Sequence, residues 1–349
     1  MNRRHFFQQT AAAGLFAALA AKSGSSAKAG AAANFDKEPL LHGLISAVFT
    51  PFKPDGAPNL DVVPQYVDYL VDSGMNGMYI CGSTGEGPSL SVAERKALDE
   101  AFVKAAGKRI TAVVQVGANA ESDCQELAAH AEALGADAIS ANAPSYFKIR
   151  DTQTMASWLI DIASAAPNTP IYYYHIPSLT GVDIDMGVLL AEMEKNCPTF
   201  RGVKFSDTIG HRFLEITQYG DGKYEALWGC DESLMTGFAL GGCGGIGSTY
   251  ALAPKLYHRL LDTIDAGNWA KARKIQLDIW KFVQLLFKYK ISSASRLILE
   301  RAVGVKFGKS RLPLSADAAE VDAEAFDAEL AAALPSFFPD GTRAAQNQK

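Results

Sequence analysis

The sequence predicts an α/β protein built as a (β/α)8 barrel, the TIM-barrel architecture, with a C-terminal helical appendage. Three observations carry that expectation. From residue 42 onward eight short apolar runs alternate with longer amphipathic segments, the pattern of parallel strand–helix units. These units occupy residues 42–264, close to the ~250 residues usual for such a barrel. After residue 265 the strand-like runs stop and only helical patterns follow. An open doubly wound sheet is the alternative topology for the same alternation.

Taken in chain order, residues 1–29 come first and differ from the rest. Arg3 and Arg4 precede Phe6 and Phe7, an 11-residue Ala/Gly/Leu/Phe run follows from Ala11 to Ala21, and Ala27-Lys28-Ala29 offers small residues where a signal peptidase reads. This is the layout of a cleavable export signal, and the paired arginines give it a twin-arginine character. The run is too short to cross the ~30 Å hydrocarbon layer as a helix, so no stable membrane anchor is expected. A periplasmic or secreted mature chain starting near residue 30 follows.

The apolar runs are Leu44–Phe49, Gly77–Cys81, Thr111–Val116, Asp137–Ala141, Pro170–Tyr174, Gly202–Phe205, Ala226–Trp228 and Gly244–Gly247. Among the segments between them, Ser91–Ala106 opens with the capping box Ser91-x-x-Glu94. Glu121–Leu134 carries apolar residues at helical spacing. Beyond the barrel, residues 265–336 read as helices at Trp269–Lys290, Ser293–Val303 and Ala316–Leu334, and residues 337–349 as a polar, frayed tail.

Composition excludes several classes of function. At 349 residues, 48% hydrophobic and 20% charged, the chain has enough apolar sequence for a large core and is neither a disordered protein nor a fibre. Its net charge is −5, and removal of residues 1–29 takes away four basic residues and no acidic one, leaving −9. Nucleic acid is thereby disfavoured as a partner, and an anionic substrate would need a local site of attraction. The five cysteines, Cys81, Cys124, Cys197, Cys230 and Cys243, are odd in number and contain no C-x-x-C pair, so they read as small core residues. The six histidines show no metal-ligand spacing, and no metal is expected.

In a barrel of this kind the chemistry sits at the C-terminal ends of the strands, which directs attention to four segments: G-S-T-G-E at 82–86, Y-Y-Y-H-I-P-S-L-T-G at 172–181, V-K-F-S-D at 203–207, and G-C-D-E at 229–232 with G-G-I-G-S-T at 244–249. Lys204 interrupts an apolar run with a charge that is costly to bury unpaired. Either it pairs with a carboxylate on a neighbouring strand, or its amine is desolvated and serves as a nucleophile for carbonyl carbon. Tyr174 ends the preceding run, within reach of Lys204, and its phenol can shuttle a proton. The Gly82–Glu86 loop places glycine-freed amides beside two hydroxyls, Ser83 and Thr84, a nest suited to a carboxylate. Gly242 to Gly247 spells G-x-G-x-x-G, but a dinucleotide fingerprint belongs to the first strand–helix turn of a βαβ unit, and this match falls on the last of eight runs.

In this order, G-S-T-G-E, Y-H-I-P-S-L-T-G, G-V-K-F-S-D and G-G-I-G-S-T resemble the N-acetylneuraminate lyase and dihydrodipicolinate synthase superfamily of class I aldolases, over residues 42 to about 310. Synthases of the dihydrodipicolinate type carry arginine two residues after the proline of the Tyr-x-x-Pro segment. Leu179 stands there in this chain, so the resemblance points to the sugar-acid lyases. It implies reversible cleavage of N-acetylneuraminate to N-acetylmannosamine and pyruvate, with Lys204 as the imine-forming residue, Tyr174 as the proton acceptor, and no cofactor. It further implies that Ser83 and Thr84 hold the substrate carboxylate, and that Gly229, Asp231, Glu232 and Ser248 hold the hydroxylated tail. Ser206 stands where the family often has threonine and keeps the hydroxyl. Tyr146 matches a family tyrosine near the site and a subunit interface, which implies a third catalytic residue, beside Lys204 and Tyr174, and a homotetramer. Another 2-keto-3-deoxy sugar acid, a synthase-type condensation, or an exported sialic acid binding protein without turnover are the alternatives.

Overall fold

The computed structural model describes residues 38–314, 321–338 and 341. Residues 1–29, with the expected export signal, lie outside them, as does nearly all of the expected tail. Eight strands, β1 (Gly43–Ala47), β2 (Gly77–Ile80), β3 (Thr111–Gln115), β4 (Ala138–Asn142), β5 (Ile171–His175), β6 (Phe200–Phe205), β7 (Glu225–Trp228) and β8 (Gly244–Gly247), close into a barrel in sequence order. Every neighbouring pair is parallel, including β8 with β1. Each expected apolar run holds one strand. Strands covered on both faces need no polar alternation and read as short continuous apolar runs.

Helices α1 (Val63–Asp72), α2 (Val92–Ala106), α3 (Glu121–Leu134), α4 (Thr152–Ser164), α5 (Pro177–Thr180), α6 (Met186–Asn196), α7 (Gly210–Gln218), α8 (Leu234–Ala239) and α9 (Pro254–Asp265) fill the connections. The Ser91 capping box is formed: the Ser91 hydroxyl accepts from the Glu94 amide, and Glu94 accepts from the Ser91 amide. Beyond the barrel come α10 (Trp269–Lys288), α11 (Ile291–Val303) and α12 (Ala323–Ala333). Lys290 has a left-handed φ of 65° that breaks the chain between α10 and α11, so α10 stops two residues earlier than its apolar pattern implied. The expected last helix begins at Ala316, among residues outside the description; its described part begins at Ala323.

Two cores result. Side chains facing outward from the strands pack against the helices, whereas the interior is a separate cluster that includes Leu41, Ile45, Tyr79, Tyr172, Tyr174 and Leu227. Its floor, at the N-terminal ends of the strands, is closed by the segment entering β1. The Leu40 and Leu41 amides both donate to the buried Glu225 carboxylate at 2.9 Å, which also accepts from Tyr172 Oη and Arg201 Nε.

One irregularity positions the site. Ile171 pairs with Phe200 but Tyr172 pairs with Gly202, so Arg201 is an extra residue in β6. A one-residue slip exchanges the faces of everything beyond it. After it Tyr174 and Lys204 lie side by side, both directed inward, while Tyr173, Val203 and Phe205 face the helices.

Candidate active site

Lys204 is 4% exposed. Its Nζ lies 4.0 Å from the ring centroids of both Tyr79 and Tyr174, which meet edge to face at 5.8 Å. Among the described residues no carboxylate lies within ion-pair distance of it, so of the two readings of this lysine, pairing with a neighbouring strand is not the one the structure adopts. Burial lowers the pKa of its amine, while the Tyr174 phenol draws it back toward the charged form, with smaller contributions from Asp231 and Cys230. A neutral amine is correspondingly more accessible here than on a surface lysine.

The loop after β2 faces this amine. Ser83 Oγ lies 3.5 Å from Tyr174 Oη, and Thr84 Oγ1 forms a 2.6 Å hydrogen bond with Ser248 Oγ of the loop after β8. The loop is flanked by two non-glycine residues in the left-handed region, Cys81 (φ 55°) and Glu86 (φ 58°), a conformation that persists only where surrounding contacts enforce it. Those contacts are present. Thr50 Oγ1 donates to the Gly85 carbonyl at 2.6 Å. The buried Glu86 carboxylate accepts from Arg296 Nη2 at 2.8 Å and from the Arg311 amide at 2.9 Å. A residue of α11 thus holds a loop of the barrel mouth.

The loops after β6 and β7 form the other side of the mouth. Ser206 Oγ donates to the Gly229 carbonyl at 3.4 Å, and a Cβ at position 229 would displace that hydroxyl. Asp231 is buried, and its Oδ2 accepts from the Thr249 amide and hydroxyl at 2.8 and 2.6 Å. Burial pushes its carboxyl up to about 6 against those bonds. Its Oδ1 rests on Gly247, where a side chain would collide. Glu232 is half-buried beside it. Between Gly229 and Asp231, the half-buried Cys230 thiol is pushed up to about 12 by burial and so stays protonated at neutral pH.

The structure therefore brings Lys204, Tyr174 and Ser83 into one cluster, joins Thr84 to Ser248, and sets Ser206, Gly229, Asp231 and Glu232 on the adjoining rim. It does not bring in Tyr146. That side chain is 78% exposed, packs edge to face on Phe147, and shares no hydrogen bond or ring contact with the cluster. Sequence reasoning missed Tyr79, which is one more aromatic in an apolar strand; nothing local marks a residue whose partner lies across the barrel. Among the described residues no group of three or more His, Cys, Asp or Glu side chains is placed to hold a metal ion, and no helix is long and apolar enough to cross a membrane.

A parallel barrel whose mouth holds a desolvated lysine, an adjacent phenol and several hydroxyls suits a lyase working through a lysine nucleophile. The chain belongs to the dihydrodipicolinate synthetase family, whose model matches residues 40–333. It is 43% identical over 278 residues to N-acetylneuraminate lyase A of Xenopus laevis, covering 78% of this chain and 90% of that protein. It is 44% identical over 259 residues to N-acetylneuraminate lyase B of the same frog, covering 73% of this chain and 97% of the relative. Among solved structures, wild-type sialic acid aldolase of Ruminococcus gnavus superposes with a TM-score of 0.78 at 31% identity, covering 88% of this chain and 98% of the other.

Proposed function

We propose that this protein cleaves N-acetylneuraminate reversibly to N-acetylmannosamine and pyruvate by Schiff-base chemistry. The observation that carries the reading is Lys204, buried between two phenol rings without a carboxylate partner, in a chain whose relatives are N-acetylneuraminate lyases.

In this reading the neutral Lys204 amine attacks the C2 ketone of the open-chain sugar acid. Water leaves, and the resulting iminium accepts the electron pair of the C3–C4 bond as Tyr174 takes the C4 hydroxyl proton. N-acetylmannosamine departs, and hydrolysis of the enamine releases pyruvate and the free lysine. Ser83 and Thr84 hold the carboxylate, and Ser206, Gly229, Asp231, Glu232 and Ser248 hold the hydroxylated tail. Asp231 is the most firmly held of these, since Thr249 fixes one of its oxygens and the other rests on Gly247.

The exposed Tyr146–Phe147 pair, with the exposed Leu179 of α5, fits a subunit contact in a homotetramer, the assembly that Tyr146 implied in the sequence. The N-terminal Arg3-Arg4 segment fits export through the twin-arginine route to the periplasm, where the enzyme would scavenge sialic acid.

Incubation with pyruvate and borohydride should fix a reduced pyruvyl group on Lys204, located by peptide mass mapping. A parallel panel of N-acetylneuraminate, 2-keto-3-deoxygluconate, and pyruvate with aspartate semialdehyde should show turnover of the first above the others. Labelling without turnover would mean a binding protein, preference for either other substrate would mean a different aldolase, and absence of labelling would end the Schiff-base reading.

A further inference from the structure

We propose that Tyr79 is a further catalytic residue, whose ring face holds the positive charge that develops on the Lys204 nitrogen as the iminium forms. The proposal rests on the Schiff-base reading above and assigns a role in it to a residue outside the cluster of hydroxyls and carboxylates.

The topology makes the contact a deliberate one. In a closed barrel of eight strands taken in order, β2 lies opposite β6, so Tyr79 and Lys204 meet only by crossing the interior. The tyrosine ring is fully buried, and its hydroxyl is held at 3.0 Å by Ser140 Oγ of β4. Its edge-to-face contact with Tyr174 leaves it little freedom to turn. What it presents to Lys204 Nζ at 4.0 Å is its face, where the ring quadrupole is negative and a cation is attracted, most strongly in a desolvated site.

The chemistry turns this contact into catalysis. The attacking amine is neutral and gains little from an aromatic face. When its lone pair bonds to the C2 carbonyl carbon, one N–H proton passes to the oxygen. A second proton, delivered by the Tyr174 phenol, carries that hydroxyl off as water, and the nitrogen, keeping its remaining N–H, is left in a C=N double bond with a full positive charge. That charge arises where Nζ already sits, between the faces of Tyr79 and Tyr174. A group that binds the iminium better than the neutral amine favours imine formation and lowers the barrier to it. Tyr174 also has a proton to move; Tyr79 has its hydroxyl turned to Ser140 and contributes its ring alone.

The test is the pyruvate concentration that gives half-maximal borohydride trapping at Lys204 in the full chain. Wild type must be labelled there, and its failure would overturn the Schiff-base reading and this proposal together. Tyr79→Phe keeps the face and should trap within about two-fold of wild type, whereas Tyr79→Leu should need roughly ten-fold more pyruvate. Because Tyr79→Leu also opens space in the interior, the deciding series keeps the shape: phenylalanine, 4-fluorophenylalanine and trifluorophenylalanine incorporated at position 79. Successive fluorines withdraw electron density from the ring face, so the half-maximal pyruvate concentration should climb step by step. A constant value across the series, with Lys204 labelled throughout, overturns the role of Tyr79 and leaves the aldolase reading intact.

Discussion

At Lys204 two neighbours act in opposite directions on one proton. Burial lowers the amine's pKa below that of an ordinary lysine, and the Tyr174 phenol opposes this. Removing the phenol oxygen should therefore let the pKa fall further, so that in Tyr174→Phe the neutral amine appears at lower pH. The acidic limb of pyruvate trapping should move down in pH relative to wild type, while cleavage of N-acetylneuraminate drops by about 10²–10⁴-fold through loss of the proton acceptor. Trapping and turnover measured against pH on the same preparations check both halves. A limb that moves up in pH, or cleavage near the wild-type rate, would remove Tyr174 from its assigned role. Lys204 itself was legible in the sequence because a charge in the middle of an apolar strand requires an explanation. Tyr79 was not, because its reason for being there is a contact between opposite walls.

Elements were legible where local physics dictates them. The eight runs mark the eight strands because a barrel strand is enclosed on both faces, and Ser91 with Glu94 marks the start of α2 because the helix leaves amides that only such side chains satisfy. What could not be read is how one element holds another. Thr84 meets Ser248 across 164 positions and Glu86 meets Arg296 across 210, and each becomes a contact only when the barrel has closed. The second has a measurable weight. Breaking a buried ion pair on one side leaves an uncompensated charge, at a cost of about 3–5 kcal/mol. Glu86→Gln, which keeps the shape but strands Arg296 opposite an amide, should lower the urea midpoint accordingly and weaken pyruvate trapping, since Glu86 pins the loop that carries Ser83 and Thr84. Glu86→Gln combined with Arg296→Met should recover much of the stability without recovering the loop. Full stability in the single variant would show that α11 does not restrain this loop.

At the scale of the whole molecule, the two ends of the barrel do different work. The C-terminal halves of the strands and the loops that follow them carry the candidate reactive groups. The other end is sealed where the Leu40 and Leu41 amides bind Glu225 beside Tyr172 and Arg201. Leu40 and Leu41 thus sit at the sealed end, with the depth of the barrel between them and Lys204. A twin-arginine leader passes its cargo across the membrane already folded, so the precursor would be a finished enzyme while still inside the cell. Replacing Arg3 and Arg4 by lysine should retain it there, and the retained protein should cleave N-acetylneuraminate with the specific activity of the processed chain; a much lower value would mean that the leader does reach the mouth. A leader of that kind that left its cargo active would give the cell no latent form to hold in reserve. If the leader acts as proposed, every molecule waiting for export would draw on the sugar acid of its own cytoplasm, and the rate of translocation, not the moment of processing, would set which compartment loses it.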